Sequence, residues 1–392
     1  MKRLITLFVL LSVSLMGQSA YYRLGYGDLF PGTDPLGSSL GNGVLALQDS
    51  ARITLHNPAA LQGINLVHFG VSLGSEFRST EDALTNNTRL EQFFIAFPVN
   101  KAIGLSLGAN AVADFKTRYQ TILGSGTLVE KTDGGVWNYH LGIGYDLSST
   151  LKLGLKFHTY QGLLRREYAI AVDDVAELYV LKGNISGNAL ELGMISLLGD
   201  KVSLGLTANI PYDRPNMTGS DSLGGSIAFA DFEEELAAWP TTINLGVVYH
   251  YSKYTNFMTG ISQQVYPENG FDDSRIFALP AGWHTVPVAS FQVAVQRLPI
   301  DRTSRSLSKR IGLQSGVSIK NYYLVSGNDN LIFEYSLLTG LNIGLRNGKS
   351  IIDISGEFGS RGGEESLPEE LYARVKLGIQ VNDTWFTKVK RR

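Results

Sequence analysis

Four side chains on two neighbouring segments, Asn138, His140, Lys156 and His158, have the types and spacing best suited to binding chemistry in this sequence. Residues 137–146 and 150–163 both alternate apolar with polar, so each presents one greasy and one polar wall if extended. A hairpin turning at Asp146–Thr150 would place His140 nearly opposite Lys156 and Asn138 nearly opposite His158, all four on the polar wall. A cation among hydrogen-bonding groups could hold the carboxylate of a fatty acid or another anion. The competing reading is a mixed, self-paired polar lining, because Glu191, Glu334, Asp353, Glu357, Arg374 and Lys376 share the same parity. Apolar residues of that parity, Ile195, Val248 and Leu338, could line a greasy pocket or pack on another segment.

Two further candidates concern capture and gating. Over 232–239, Asp231 can cap a helix, Glu233, Glu234 and Glu235 suit its first turns, and Pro240 ends it. Phe232, Leu236 and Trp239 then fall on one stripe, a capture site for a hydrophobic ligand or a face packed on other loops. Asn57-Pro58-Ala59 reads as a short helix start, with Asn57 capping and Pro58 in the first position. That stretch could gate a passage or simply anchor its segment.

Strings associated with catalysis lack their contexts. Gly37-Ser38-Ser39-Leu40-Gly41 matches the serine-hydrolase elbow, and Gly41-Asn42-Gly43 the start of a dinucleotide loop, yet no strand precedes either. There is no cysteine, no HExxH string, and no ligand spacing among six histidines. The formal net charge of −2 gives no basic footprint for nucleic acid. The expectation is a protein that is not an enzyme and uses no cofactor or metal.

The elements that must position these residues repeat with period two. Segments near 65–78, 88–98, 100–119, 137–146, 150–163, 188–198, 200–210, 241–250, 254–264, 287–298, 308–320, 331–345, 350–359 and 370–381 alternate in this way. Connections between them alternate short and long, with Leu298–Ser308 too long for the short side. Lys2 and Arg3, an apolar run from Leu4 to Met16, and Gly17 and Ser19 before a cut after Ser19 read as a secretion signal. Together these predict an all-β fold: a transmembrane antiparallel β-barrel of about fourteen strands. Residues 1–19 are the signal peptide, 20–63 an N-terminal plug (hatch), and 64–392 the barrel with its external loops. The location implied is the bacterial outer membrane.

The opening Tyr22-Arg23-Leu24-Gly25-Tyr26-Gly27-Asp28, the stretch Gly41-Asn42-Gly43-Val44, and Asn57-Pro58-Ala59-Ala60-Leu61 before the first strand resemble FadL-like outer-membrane proteins, in the branch found in Bacteroidota-like bacteria. So does the end, Leu377-Gly378-Ile379-Gln380-Val381-Asn382-Asp383-Thr384-Trp385-Phe386. The resemblance implies a fourteen-stranded barrel with an N-terminal hatch, monomeric, embedded in outer-membrane lipid. It implies passive uptake of hydrophobic or amphipathic small molecules such as fatty acids. The alternative is an interaction barrel serving secretion-system proteins, as in the related PorV-like barrels.

Overall fold

The computed structural model describes residues within 21–384, apart from 22–24, 26, 30–33, 50–51, 63, 80–83, 124–125, 173–174, 214–215, 224–229, 236–238, 267–276, 278, 280, 328–330, 347 and 363–368. The signal-peptide segment therefore lies outside the described residues. The strands, in chain order, are β1 (Asp28–Leu29), β2 (Val67–Ser79), β3 (Leu84–Pro98), β4 (Ile103–Asp114), β5 (Thr117–Leu123), β6 (Gly126–Asp146) and β7 (Leu151–Val172). They continue as β8 (Val175–Leu198), β9 (Val202–Pro211), β10 (Asn216–Leu223), β11 (Ala230–Glu235), β12 (Thr241–Ser252), β13 (Thr255–Val265), β14 (His284–Thr285) and β15 (Val288–Arg297). The last are β16 (Ile311–Asn321), β17 (Leu324–Val325), β18 (Phe333–Gly344), β19 (Ser350–Arg361) and β20 (Glu370–Asp383).

Fourteen of these strands pair antiparallel in sequence and close on themselves: β2, β3, β4, β6, β7, β8, β9, β12, β13, β15, β16, β18, β19 and β20. Closure is the β2–β20 ladder, from Val67 opposite Asp383 to Ser79 opposite Leu371. A closed sheet satisfies every ladder hydrogen bond without water, which is how strands cross a bilayer. Among the described residues no helix is long and apolar enough to cross a membrane. Alternation sorts the two faces as the sequence implies: Leu141, Phe157, Leu192, Ile243, Phe291 and Leu337 point outward, and Trp137's neighbour Tyr139, with Tyr145 and Tyr249, is exposed on the same face. Ile195, Val248 and Leu338 are buried on the inner face.

The irregular connection after β15 does not alter the strand number. It holds a single helical turn, Leu307–Arg310, and is long because it braces other parts: Arg302 pairs with Asp49 of the N-terminal segment, and Arg310 donates to the Gly344 carbonyl at 2.7 Å. On the other side of the barrel, β6, β7 and β8 run far past the rim. With β5, β10 and β11 they form an external sheet.

β11 corrects one expectation. The segment anticipated as a helix over 232–239 pairs as a strand, Ala230–Glu235, with β10. The long β8 offers an edge to β10, and β10 in turn to β11, so ladder hydrogen bonds outcompete a local i, i+4 pattern. Phe232 sits opposite Gly219 in that ladder. Leu236 lies outside the described residues, and Trp239 follows the strand as a buried side chain. The anticipated helical stripe is not formed.

Inside the barrel lies the N-terminal segment. It holds α1 (Pro35–Leu40), capped by the Asp34 carboxylate on the Gly37 N–H at 2.8 Å, and two 3-10 helices, Gly41–Ala46 and Pro58–Leu61. Burial alone would raise the Asp34 carboxyl, but the His56 ring, Arg52 and the Gly37 N–H hold it below its usual range. Leu36, Leu40, Val44 and Leu47 pack on Val248, Met258 and Ala294 of the wall. Ile53, Leu55, Leu61 and Ile64 pack on Phe94 and Ala96.

Leu155, on the lipid face of β7, tests this facing. Leu155→Arg is expected to lower unfolding stability in detergent micelles or bilayers by about 2–4 kcal/mol, whereas Leu155→Phe should stay close to wild type. Equal effects of the two would contradict the parity.

Candidate functional site

The plug is held by a row of glycines. On the inner wall Gly104, Gly144, Gly154 and Gly193 stand in one register across β4, β6, β7 and β8. Gly205, Gly246 and Gly260 do the same across β9, β12 and β13. A Cβ at Gly104 would overlap the Leu61 carbonyl, one at Gly154 or Gly193 would overlap Pro58 or Asn57, and one at Gly205 or Gly246 would overlap Leu45 or Asn42. Without those glycines the plug backbone could not approach the wall this closely.

Asn57, Pro58 and Ala59 sit at the centre of this contact. The Asn57 Oδ1 accepts from the Ala59 N–H at 3.0 Å, while its Nδ2 donates to the carbonyls of Leu45 at 2.9 Å and Met194 at 3.0 Å. The capping role anticipated from the sequence is present, and the same amide also ties two plug segments to β8. Polar side chains hold the other half of the plug. Gln380 exchanges two hydrogen bonds with the Ile53 backbone, Arg52 pairs with Asp353 at 2.8 Å, and the Asn42 N–H donates to Gln292 Oε1 at 2.6 Å.

Asn138, His140, Lys156 and His158 do gather on the inner wall, around a cavity of 210 Å³ beside plug residues Leu55 and His56. Their register is one inward rung from the expected one: His140 faces His158, and Lys156 faces Gly142. The cause is the turn. The Ser148 hydroxyl accepts from the Thr150 and Leu151 N–H groups, and the ladder begins with Asp146 opposite Lys152.

The residue missing from the sequence-level site is Glu191. It stands opposite Lys156 in the β7–β8 ladder, and its Oε2 lies 2.8 Å from Lys156 Nζ and 2.9 Å from His158 Nε2. Its polar parity was visible in the sequence, but not its register. Lys156 Nζ also donates to the Leu55 carbonyl at 2.6 Å, so this lysine is both charge-compensated and bonded to the plug. Asn138 links Asn110 at 3.1 Å to His158. Above them, the Tyr160 ring packs on Trp239 at a centroid distance of 5.0 Å. Those two rings belong to an apolar cluster near the external mouth with Phe277, Tyr266, Tyr322, Tyr323 and the plug's Tyr21.

A charged ladder covers the opposite wall. Arg374 pairs with Glu76 at 2.6 Å and with Glu334 and Glu357 at 3.3 Å, Lys376 pairs with Glu91, and Arg361 with Glu370. Glu334, Glu357, Arg374 and Lys376 were anticipated as part of a mixed lining; Glu76, Glu91, Arg361 and Glu370 were not singled out, and they complete the pairs.

The wall is split at one place between its first strands. β3 and β4 pair only from Pro98 opposite Gly104 to Gln92 opposite Asn110. Above that rung β3 keeps only β2, and β4 turns to β6 on one side and to the plug strand β1 on the other, with Asp28 opposite Asp114 and Leu29 opposite Ala113. A bulge in each strand, between Leu90 and Gln92 and between Ala111 and Ala113, accompanies the parting. A groove of 730 Å³ opens on the outer face there, lined by Leu90, Ala111, Ala113, Trp137 and Tyr139 among others. The Asn87 amide reaches across to the Asp114 carboxylate at 2.5 Å.

One triad-like chain occurs at the short-turn rim. Ser203 Oγ lies 3.1 Å from His250 Nε2, and His250 Nδ1 lies 2.9 Å from Asn256 Oδ1. Ser203 is 2% exposed and sits within two ladders, so a substrate carbonyl has no approach to its hydroxyl. The chain ties β9, β12 and β13 together. Ser39, the serine of the elbow-like string, is fully buried and donates to the Leu36 carbonyl at 2.9 Å.

Removing one partner of a buried pair leaves an uncompensated charge, at a cost of about 3–5 kcal/mol. Lys156→Leu is therefore expected to destabilise the barrel by that amount, and adding Glu191→Leu should recover more than half of it. A double-mutant cycle by denaturant unfolding checks this, and additive losses would contradict the pairing.

Several solved barrels share this architecture. A FadL homologue from Pseudomonas aeruginosa superposes with a TM-score of 0.61 at 9% identity, covering 95% of this chain and 100% of that one. The toluene transporter TodX from Pseudomonas putida gives 0.55 at 14% identity, covering 95% and 99%. The monoaromatic hydrocarbon channel CymD gives 0.56 at 12%, covering 94% and 100%. No curated protein matches the sequence. The closed barrel, its apolar outer face and this fold place the protein in the bacterial outer membrane. The family model described as BamG matches residues 1–212 and 219–391, nearly the whole length, and the chain accordingly belongs to the BamG family.

Proposed function

We propose that this barrel is a channel admitting small hydrophobic or amphipathic molecules from outside the cell and releasing them sideways into the bilayer. The observation that carries this reading is the split between β3 and β4. Its inner side meets the aromatic cluster through Ala113, Phe115 and Leu29, and its outer side opens on the groove beside Leu90, Trp137 and Tyr139. An apolar solute would thus meet apolar surface on both sides of the split. The axial route offers the reverse: a plug in backbone contact with glycines, and cavities lined mainly by polar groups. Asn57, Pro58 and Ala59 then hold the plug, while the two-residue strand β1 covers the opening.

Support from related structures is of fold, and two of the similar barrels are described as a toluene transporter and a monoaromatic hydrocarbon channel. Passive movement down a gradient requires no cofactor. The second reading, an interaction barrel, is favoured by the external sheet. Its outer surface carries a groove of 1030 Å³ lined by Asp133, Arg165, Lys182, Asp231 and Glu233, a mixed-charge face that could steer a partner of complementary charge.

Asn87→Cys with Asp114→Cys, in a chain with no cysteine of its own, allows the split to be bridged by a reducible bis-methanethiosulfonate cross-linker. Uptake of a hydrophobic fluorescent probe into proteoliposomes should fall at least about tenfold when bridged and return on reduction. Unchanged uptake in the bridged protein would exclude sideways release.

A further inference from the structure

The cavity beside Lys156 contains polar atoms whose needs identify the head group it would take. His140 is 6% exposed, and neither of its ring nitrogens has a hydrogen-bond partner. Asn209 lines the same cavity; its Nδ2 donates to the Tyr160 hydroxyl at 3.3 Å, and its Oδ1 has no partner. A buried polar group left without a partner is costly, so each such atom asks for an occupant. The Asn209 oxygen can only accept, so the occupant must donate. A neutral imidazole offers one donor and one acceptor, so the occupant should also both give and take a hydrogen bond. A hydroxyl meets both demands. An ionised carboxylate only accepts and leaves Asn209 unsatisfied.

Charge leads to the same choice. Lys156 lies 2.8 Å from Glu191 Oε2, so the one cation and one anion of the lining already cancel. A carboxylate brought here would be a second anion beside Glu191, with no free cation among the described residues of the lining to compensate it. The cavity volume of 210 Å³ accommodates a head group and a short length of tail, and the Tyr160 ring in its lining continues to Trp239 and the aromatic cluster.

We propose that this cavity binds the uncharged, hydrogen-bond-donating head of an amphipathic molecule, an alcohol or a phenol rather than a fatty-acid anion, with its tail against Tyr160 and Trp239. This rests on the channel reading and names the substrate class within it. The site differs from the anion receptor anticipated from sequence because Glu191 has taken the cation that an anion would need.

Isothermal titration of the full-length barrel in lipid nanodiscs with 1-octanol and with octanoate, at a pH near 7.5 where the acid is ionised, provides the test. Octanol should bind at least about tenfold tighter than octanoate. Glu191→Gln uncovers Lys156 and should tighten octanoate about tenfold. His140→Phe, which keeps the Lys156–Glu191 pair, should weaken octanol about tenfold and decides the matter if the Glu191 variant fails to fold. Octanoate binding as tightly as octanol in the wild type would overturn the head-group assignment and leave the channel reading standing. Binding of neither compound would overturn the cavity as a ligand site, while the channel reading stands or falls on the cross-link at Asn87 and Asp114.

Discussion

The approach of the plug backbone to the barrel wall is the constraint on which the other features depend. Seven glycines in two registers remove the side chains that would otherwise keep the plug off β4, β6, β7, β8, β9, β12 and β13. With those side chains absent, Leu36, Leu40, Val44, Leu45 and Leu61 are buried, each contributing about 1.5–3 kcal/mol, and Asn57 bonds to carbonyls on both sides of the contact. Moving the plug would uncover all of this together. Its polar half adds Arg52 on Asp353 and the paired bonds of Gln380.

A fixed plug determines where a route can run. The wall opposite the glycines is lined by ion pairs among Glu76, Glu91, Glu334, Glu357, Arg374 and Lys376, a surface that apolar molecules avoid. Apolar surface is concentrated instead at the external mouth and beside the β3–β4 split. There the ladder is already interrupted by two bulges; among the described residues β1 lies along the β4 side and the Asn87–Asp114 bond reaches across. Opening at that place costs few hydrogen bonds, whereas opening along the axis would cost the plug.

All fourteen barrel strands were legible in the sequence because period-two alternation is imposed by lipid on one side and plug or water on the other. Their ends were not, since β6, β7 and β8 leave the bilayer and continue as an exposed sheet with no such alternation to mark it. The segment at Asp231–Trp239 misled for a related reason: its helical pattern is local, while the edge that recruits it belongs to β10, which is itself recruited by β8. In the cavity, parity located Asn138, His140, Lys156 and His158 correctly. Their meaning depended on register, which Ser148 sets in one turn and the β7–β8 ladder sets for Glu191. The glycine rows were readable as inward-facing positions, but their alignment across strands emerges only once the ladders are assembled.

The central claim is that the plug stays in place while solutes pass beside it. Lys152 Nζ on β7 donates to the plug's Gln48 at 2.5 Å, which makes this pair a suitable anchor. With Gln48→Cys and Lys152→Cys joined by a reducible cross-linker, plug and wall are locked together. Uptake of a hydrophobic fluorescent probe into proteoliposomes is expected to match that of the reduced protein within about twofold. A block that is relieved on reduction would contradict the account and show that the plug must move.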